Sequence, residues 1–250
     1  MRTEPRLQDH LDEHPFPLLF ATISGADLYG FPSADSDYDL RGVHLLPLST
    51  IVGLDDGQQT VEKEGVYDGL EIDLVTHDAA KFFGLLLKNN GYVLEQVFSP
   101  LVVQTSPAHE ELKSIASKCV TRHHVHHYRG FAASQWKMFR SEPTPRVKPL
   151  LYVYRVLLTG IHLMQTGRVE SNIQTLNESA GLSQIDELIE QKVNGAEKEP
   201  LKNADLTFHE SEYERLVLQL ERAAQESTLP AATTVRDQLN DLLVRIRLQS

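Results

Sequence analysis

The chain has 250 residues, 41% of them hydrophobic and 24% charged, the make-up of a soluble globular protein with room for one large domain or two small ones. A formal net charge of −11 argues against a surface that binds nucleic acid non-specifically, without excluding a local basic track. The single cysteine, Cys119, excludes an internal disulfide, no apolar run approaches the ~20 residues of a membrane span, and the polar, acidic residues 1–14 do not read as a signal peptide, so a cytoplasmic protein is expected.

In chain order, Pro15 and Pro17 end the polar leader, and residues 18–24 form an apolar run of strand type. A turn at Gly25 and a helical turn follow, then a strand over residues 37–46. Residues 47–68 read as loop and hairpin, broken by Gly53, Gly57 and Gly65. Residues 70–75 alternate cleanly, with Leu70, Ile72 and Leu74 on one face and Glu71 and Asp73 on the other. Asp78 is placed to cap a helix over residues 79–87, Asn89-Asn90-Gly91 breaks it, and a second helix, with Asn90 as its cap and carrying Glu95 and Phe98, stops at Ser99-Pro100. From about residue 107 helices dominate, predicted over residues 108–140, 147–167, 183–193, 210–224 and 233–248. The last has an apolar face of Leu239, Leu242, Leu243 and Ile246. Residues 140–149 and 194–207 read as loops. Strands with helices first, then helices alone, is the order of an α+β part joined to a helical part.

The chemistry concentrates at Asp37 and Asp39. On extended backbone, residues two apart point to the same side, so these carboxylates share a face while Tyr38 and Leu40 point into a core. Carboxylates this close repel unless a cation sits between them. Magnesium is the natural cation for hard oxygen ligands, and its usual companion is a nucleoside triphosphate. Asp35, Asp37 and Asp39 also have calcium-loop spacing, but the sixth position is Leu40 instead of glycine and the twelfth is Leu46 instead of glutamate. Backbone amides of a turn such as Ser24-Gly25-Ala26 hold phosphate oxygens elsewhere. His123 and His127 lie one helical turn apart, but no Cys or Asp flanks them at metal spacing, so packing and a polar lining are expected in place of zinc.

Gly25, then after eleven residues Asp37-Tyr38-Asp39, together with Arg41-Gly42-Val43 and the string from Tyr29-Gly30-Phe31, resembles the DNA polymerase beta superfamily of nucleotidyltransferases. Within it the chain is similar to the predicted bacterial and phage branch that includes the RNA-repair-associated group. The resemblance runs over about residues 24–167. It implies a third carboxylate on a neighbouring strand, for which Asp73 is preferred over Glu71, the other acid on that face. It implies a nucleotide-binding set of Ser24, Gly25, Ala26, Arg41, Lys148 and Arg155. Lys148 and Arg155 share a helix face at a seven-residue interval, either as cations for the departing pyrophosphate or as a solvated helix edge. One departure stands out. Relatives have serine where this chain has Ala26, and Ser24 is the candidate substitute. Weaker binding, a different donor and a degenerate enzyme are the consequences open at that position.

The resulting expectation is an α+β protein: a mixed-sheet nucleotidyltransferase palm over residues 1–105 and a helical domain over residues 106–250, with the nucleotide in the cleft between. Its reaction would be transfer of a nucleotidyl group from an NTP such as ATP to a hydroxyl, with release of pyrophosphate. Two Mg²⁺ ions, or Mn²⁺, would be held by Asp37, Asp39 and Asp73. The acceptor is left open between an RNA 3′ end, a protein side chain and a small molecule. The rival reading is a catalytically weakened nucleotide-binding or antitoxin-like regulatory protein, favoured by Ala26.

Overall fold

The fold is described from a computed structural model, which covers residues 4–54, 57–195, 200–201 and 205–249. Residues 1–3 of the leader, 55–56 of the 47–68 loop, and 196–199 and 202–204 of the 194–207 loop therefore lie outside the described residues. The chain forms two compact units, and neither is one continuous stretch. The first comprises Met1–Gly25, Asp37–Cys119 and Ala232–Ser250; the second comprises Ala26–Ser36 and Val120–Ala231.

The first unit is built on a five-stranded mixed sheet. Its strands are β1 (Leu18–Ile23), β2 (Tyr38–His44), β3 (Thr60–Tyr67), β4 (Leu70–Asp78) and β5 (Val102–Gln104), in the order β3-β4-β2-β1-β5. β2 and β4 are parallel, and every other pairing is antiparallel. On one face Tyr38, Leu40, Ile72 and Leu74 pack with Ala21 and Ile23 against Leu7 and Leu11 of helix α1 (Arg6–Asp12). This is the inward alternation that the sequence predicts for residues 38–40 and 70–74. On the other face Phe20 meets Phe82 of α4 (Ala79–Leu87) and stacks on His109 of α6 (Pro107–Ala116). α5 (Gly91–Val97) lies between these helices in the chain. As expected, Asp78 caps α4 by accepting the Ala80 N–H, and Asn90 caps α5 by accepting the Tyr92 N–H.

The chain's final helix, α12 (Arg236–Gln249), belongs to this unit. Leu239, Leu242 and Ile246 are buried, as the apolar pattern requires. Arg247 is the unexpected member. Its Nη2 lies 2.6 Å from both Asp78 oxygens, its Nη1 donates to the Leu46 carbonyl, and the Asp78 carboxylate also accepts the Leu46 N–H. The two side chains are 7% and 3% exposed.

The second unit is helical apart from the 26–36 segment, most of α2 (Gly25–Tyr29) and the turn after it. α7 (His124–Ser141) and α8 (Val147–Thr166) pack closely where Gly160 meets Tyr128; a Cβ at Gly160 would come 2.8 Å from the Tyr128 Cβ. α8 is surrounded by α7, α9 (Ile173–Ala180), α10 (Ser183–Asn194) and α11 (Leu206–Glu226), and most of it is buried. The 26–36 segment is tied to this bundle: Gln174 donates to the Gly30 carbonyl, and buried Lys192 donates to Ser33 Oγ at 2.6 Å.

Several elements differ from the sequence reading. The helix expected over residues 108–140 is interrupted between α6 and α7. Thr121 Oγ1 takes the His123 N–H and His124 Nδ1 takes the Thr121 N–H, so side chains compete there for backbone groups a continuous helix would use. Residues 60–67 form a full strand, and α1, α3 (Leu48–Val52), α9 and β5 have no counterpart in the reading.

Two outcomes follow for stability. Arg247→Met should strand Asp78 as a buried, uncompensated carboxylate and cost roughly 3–5 kcal/mol in urea unfolding. His44 in the first unit and His124 in the second are fully buried, and burial pushes each pKa down to about 4, outweighing hydrogen bonds to the Gln58 and Thr121 carbonyls. An unfolded chain would take up protons near pH 6.5 that the native state refuses. Stability should therefore be full above that pH and fall as pH drops from about 6.5 to 4, by up to about 3 kcal/mol per histidine. Thermal melts across that range check the sign, and His44→Gln should flatten the slope.

Candidate active site

β1 ends at Ile23, and the chain turns at Ser24 and Gly25 against β2. The Ser24 N–H donates to the Asp39 carbonyl at 2.8 Å. Gly25 has φ +59°, in the left-handed region, and a Cβ there would fall inside the Asp39 carboxylate. Conformation and space both demand glycine. The turn and the second aspartate of the pair are thus one packed feature, not two motifs that happen to be near in sequence. Ser24 is 2% exposed, and its Oγ has no hydrogen-bond partner among the described residues. A buried hydroxyl in that state costs free energy unless a ligand or water satisfies it.

The parallel ladder of β2 and β4 sets Asp39 directly opposite Asp73. Arg41, two residues beyond Asp39, lies on the same face. Its Nη2 donates to Asp39 Oδ1 at 2.6 Å and to Asp73 Oδ2 at 2.7 Å. Nη1 donates to the carbonyls of Leu40 and Asp73, at 2.9 and 2.6 Å, and Nε to Tyr92 Oη at 2.8 Å. These five acceptors match the five N–H donors of a guanidinium. Burial works against the charge, but Tyr92, Asp39 and Asp73 outweigh it, and the Arg41 pKa is raised above that of an ordinary arginine. The cation that crowded carboxylates need is therefore supplied from within the chain.

The remaining sequence-predicted residues are placed differently. Asp37 is half-buried and stands one residue before β2, ahead of the ladder that pairs Asp39 with Asp73. Among the described residues no three His, Cys, Asp or Glu side chains gather as a metal-holding group. Glu71 is exposed. Arg41, expected to bind nucleotide, is engaged by the carboxylates and Tyr92. Ala26 is 7% exposed and begins the second unit, where its carbonyl accepts the Gly30 and Phe31 N–H groups. Lys148 and Arg155 are also in the second unit, on α8. Arg155 is no solvated helix edge: it is 2% exposed, with its guanidinium carbon 3.8 Å over the Tyr29 ring. The His123 ring stacks on His126 at 5.9 Å, and the histidine run forms no metal group among the described residues.

Tyr92 is the participant that the sequence reading missed. Its Asn90 cap was legible, but nothing in the local pattern points the ring across to β2. Arg41's bridging contact had a usable signal, the two-residue spacing from Asp39.

A profile of the RNA repair pathway DNA polymerase beta family matches residues 1–245. The chain belongs to this family. A stretch of 159 residues is 33% identical to the uncharacterized protein MJ0002 of Methanocaldococcus jannaschii, covering 63% of this chain and 64% of that one, just under two thirds of the relative's length. A second relative, the uncharacterized protein YcgL of Bacillus subtilis, is 25% identical over 210 residues, 80% of each chain. Among solved structures, a nucleotidyltransferase-like protein from Exiguobacterium sibiricum aligns over 98% of this chain and 79% of its own, with 12% identity and a TM-score of 0.34.

The donor set of the site fits a divalent cation of the kind this family implies. Carboxylates from two adjacent strands are held to one cationic nitrogen, and hard oxygen ligands suit Mg²⁺ or Mn²⁺. Gly25→Ala tests the packed turn. It should lose about 2 kcal/mol or more in urea unfolding, from the left-handed backbone together with the overlap at Asp39. Mn²⁺ binding followed by titration calorimetry should weaken in parallel.

Proposed function

We propose that the protein is a divalent-metal-dependent nucleotidyltransferase that moves an NMP from an NTP to a hydroxyl acceptor. The observation that carries this reading is Asp39 opposite Asp73 on parallel strands, with the Gly25 turn packed against the Asp39 carboxylate. Asp39 and Asp73 would hold the metal, with Asp37 joining from the segment before β2. When bound, the metal would neutralise charge on the transferring phosphoryl group and lower the pKa of the attacking hydroxyl.

The chain's own groups do the positioning. The N–H of Gly25 and the buried Ser24 hydroxyl are offered as donors to phosphate oxygens, which would satisfy the orphaned Oγ. Ser24 thereby takes the part for which relatives use the residue after the glycine. Asp73 would accept the acceptor hydroxyl's proton directly or through solvent. The family's association with RNA repair supports an RNA 3′ end as the first acceptor to try. The rival, a nucleotide-binding regulator that has lost transfer, keeps one observation in its favour, the buried alanine at position 26.

Incubation with each α-labelled NTP, Mg²⁺ or Mn²⁺, and total RNA decides between them. Label covalently joined to RNA, lost by about 100-fold or more in Asp39→Asn, is the outcome expected of an enzyme that depends on a preorganised charged site. Metal-dependent NTP binding with no transfer to RNA, protein or small molecules would establish the regulator.

A further inference from the structure

We propose that Arg41 is a built-in counter-ion that a divalent cation must displace: one guanidinium nitrogen holds Asp39 and Asp73 together in the metal-free protein, and the metal binds by taking over the oxygens that Arg41 holds. This rests on the reading of Asp39 and Asp73 as metal ligands.

Three observations carry it. First, the contact is shared. Nη2 alone reaches both carboxylates, at 2.6 and 2.7 Å, so Arg41 occupies the position between them that a bridging cation would need. A guanidinium and a divalent ion held against the same two carboxylates would repel each other strongly in so enclosed a place. Second, the group is rigid and planar, so Nη2 cannot leave one carboxylate without moving the other four N–H donors. Third, three of the five acceptors are not carboxylates. The Tyr92 hydroxyl and the carbonyls of Leu40 and Asp73 anchor Arg41 independently of the charges it neutralises. Those anchors set how hard it is to displace. Tyr92, remote from both carboxylate groups in sequence, becomes a determinant of metal affinity.

The arrangement also selects among ions. A monovalent cation brings no more charge than the guanidinium and lacks its directed hydrogen bonds, so it has no advantage at this position. A divalent cation doubles the attraction to both carboxylates. The site would therefore be closed to sodium and potassium and open to magnesium or manganese.

The test is Mn²⁺ binding to the full chain by titration calorimetry, beside metal-free and metal-loaded melting curves. Wild type is compared with Arg41→Met, Tyr92→Phe and Asp39→Asn. Arg41→Met should bind Mn²⁺ about tenfold or more tightly, the worth of one or more charge-assisted hydrogen bonds no longer to be broken. It should melt lower without metal and regain the loss with Mn²⁺. Tyr92→Phe leaves both carboxylates and the arginine in place and should shift affinity the same way by less. It carries the test if Arg41→Met does not fold. Mn²⁺ affinity that is unchanged or weaker in the variants that fold overturns the proposal. Asp39→Asn separates the two readings: if it binds Mn²⁺ as wild type does, the carboxylates are not the metal site and the functional reading fails too. If it loses Mn²⁺ while removal of Arg41 changes nothing, only the counter-ion role falls.

Discussion

The parallel register of β2 on β4 is the constraint from which the candidate site follows. Side chains alternate along a strand, so a slip of one residue would turn Asp39 toward the α1 core and bring Leu40 out to face Arg41's partners. Burial of Tyr38, Leu40, Ile72 and Leu74 forbids that slip. The apolar face thus fixes the polar one: Asp39 meets Asp73 because Leu40 and Leu74 must meet the core. Parallel strands cannot be joined by a tight hairpin. The connection here runs through α3 and then β3, which pairs antiparallel with β4 on the outer side of the sheet.

Around that register the charges are arranged in sequence-local and sequence-distant layers. Arg41 is local to Asp39 and answers for both carboxylates. Gly25 is local to β1 and closes against Asp39 from a strand that runs antiparallel to β2. Tyr92 comes from α5, and its hydroxyl anchors the arginine by accepting the Arg41 Nε–H. A site built this way is stiff before any ligand arrives. A cost within the turn is the Ser24 hydroxyl, buried without a hydrogen-bond partner among the described residues, where a ligand oxygen would relieve it.

Much of this was legible in the chain. The alternation of residues 70–75, the capping residues Asp78 and Asn90, and the same-side logic of Asp39 with its neighbours needed only strand and helix periodicity. The α8, α10 and α11 segments announced themselves by apolar spacing. Other features depend on partners far away in sequence, which periodicity does not see. β3 is an edge strand whose residues are all half-exposed or exposed apart from Val61, so its composition reads like a loop with glycine breakers. The α6–α7 interruption depends on side chains of Thr121 and His124 capturing backbone groups. Arg155 has the spacing of a surface cation, yet an aromatic ring of the 26–36 segment takes it into the interior.

The pairing of Asp78 with Arg247 spans 169 residues. During synthesis at about 5–20 residues per second, roughly 10–30 seconds pass between the two. Throughout that interval β4 can find β2 and β3, but the carboxylate that caps α4 has no cation to neutralise it, and the surface destined for α12 is bare. The sheet unit therefore cannot close until α12 has been made, and a chain cut short before Arg247 would keep Asp78 as a buried carboxylate with no cation beside it.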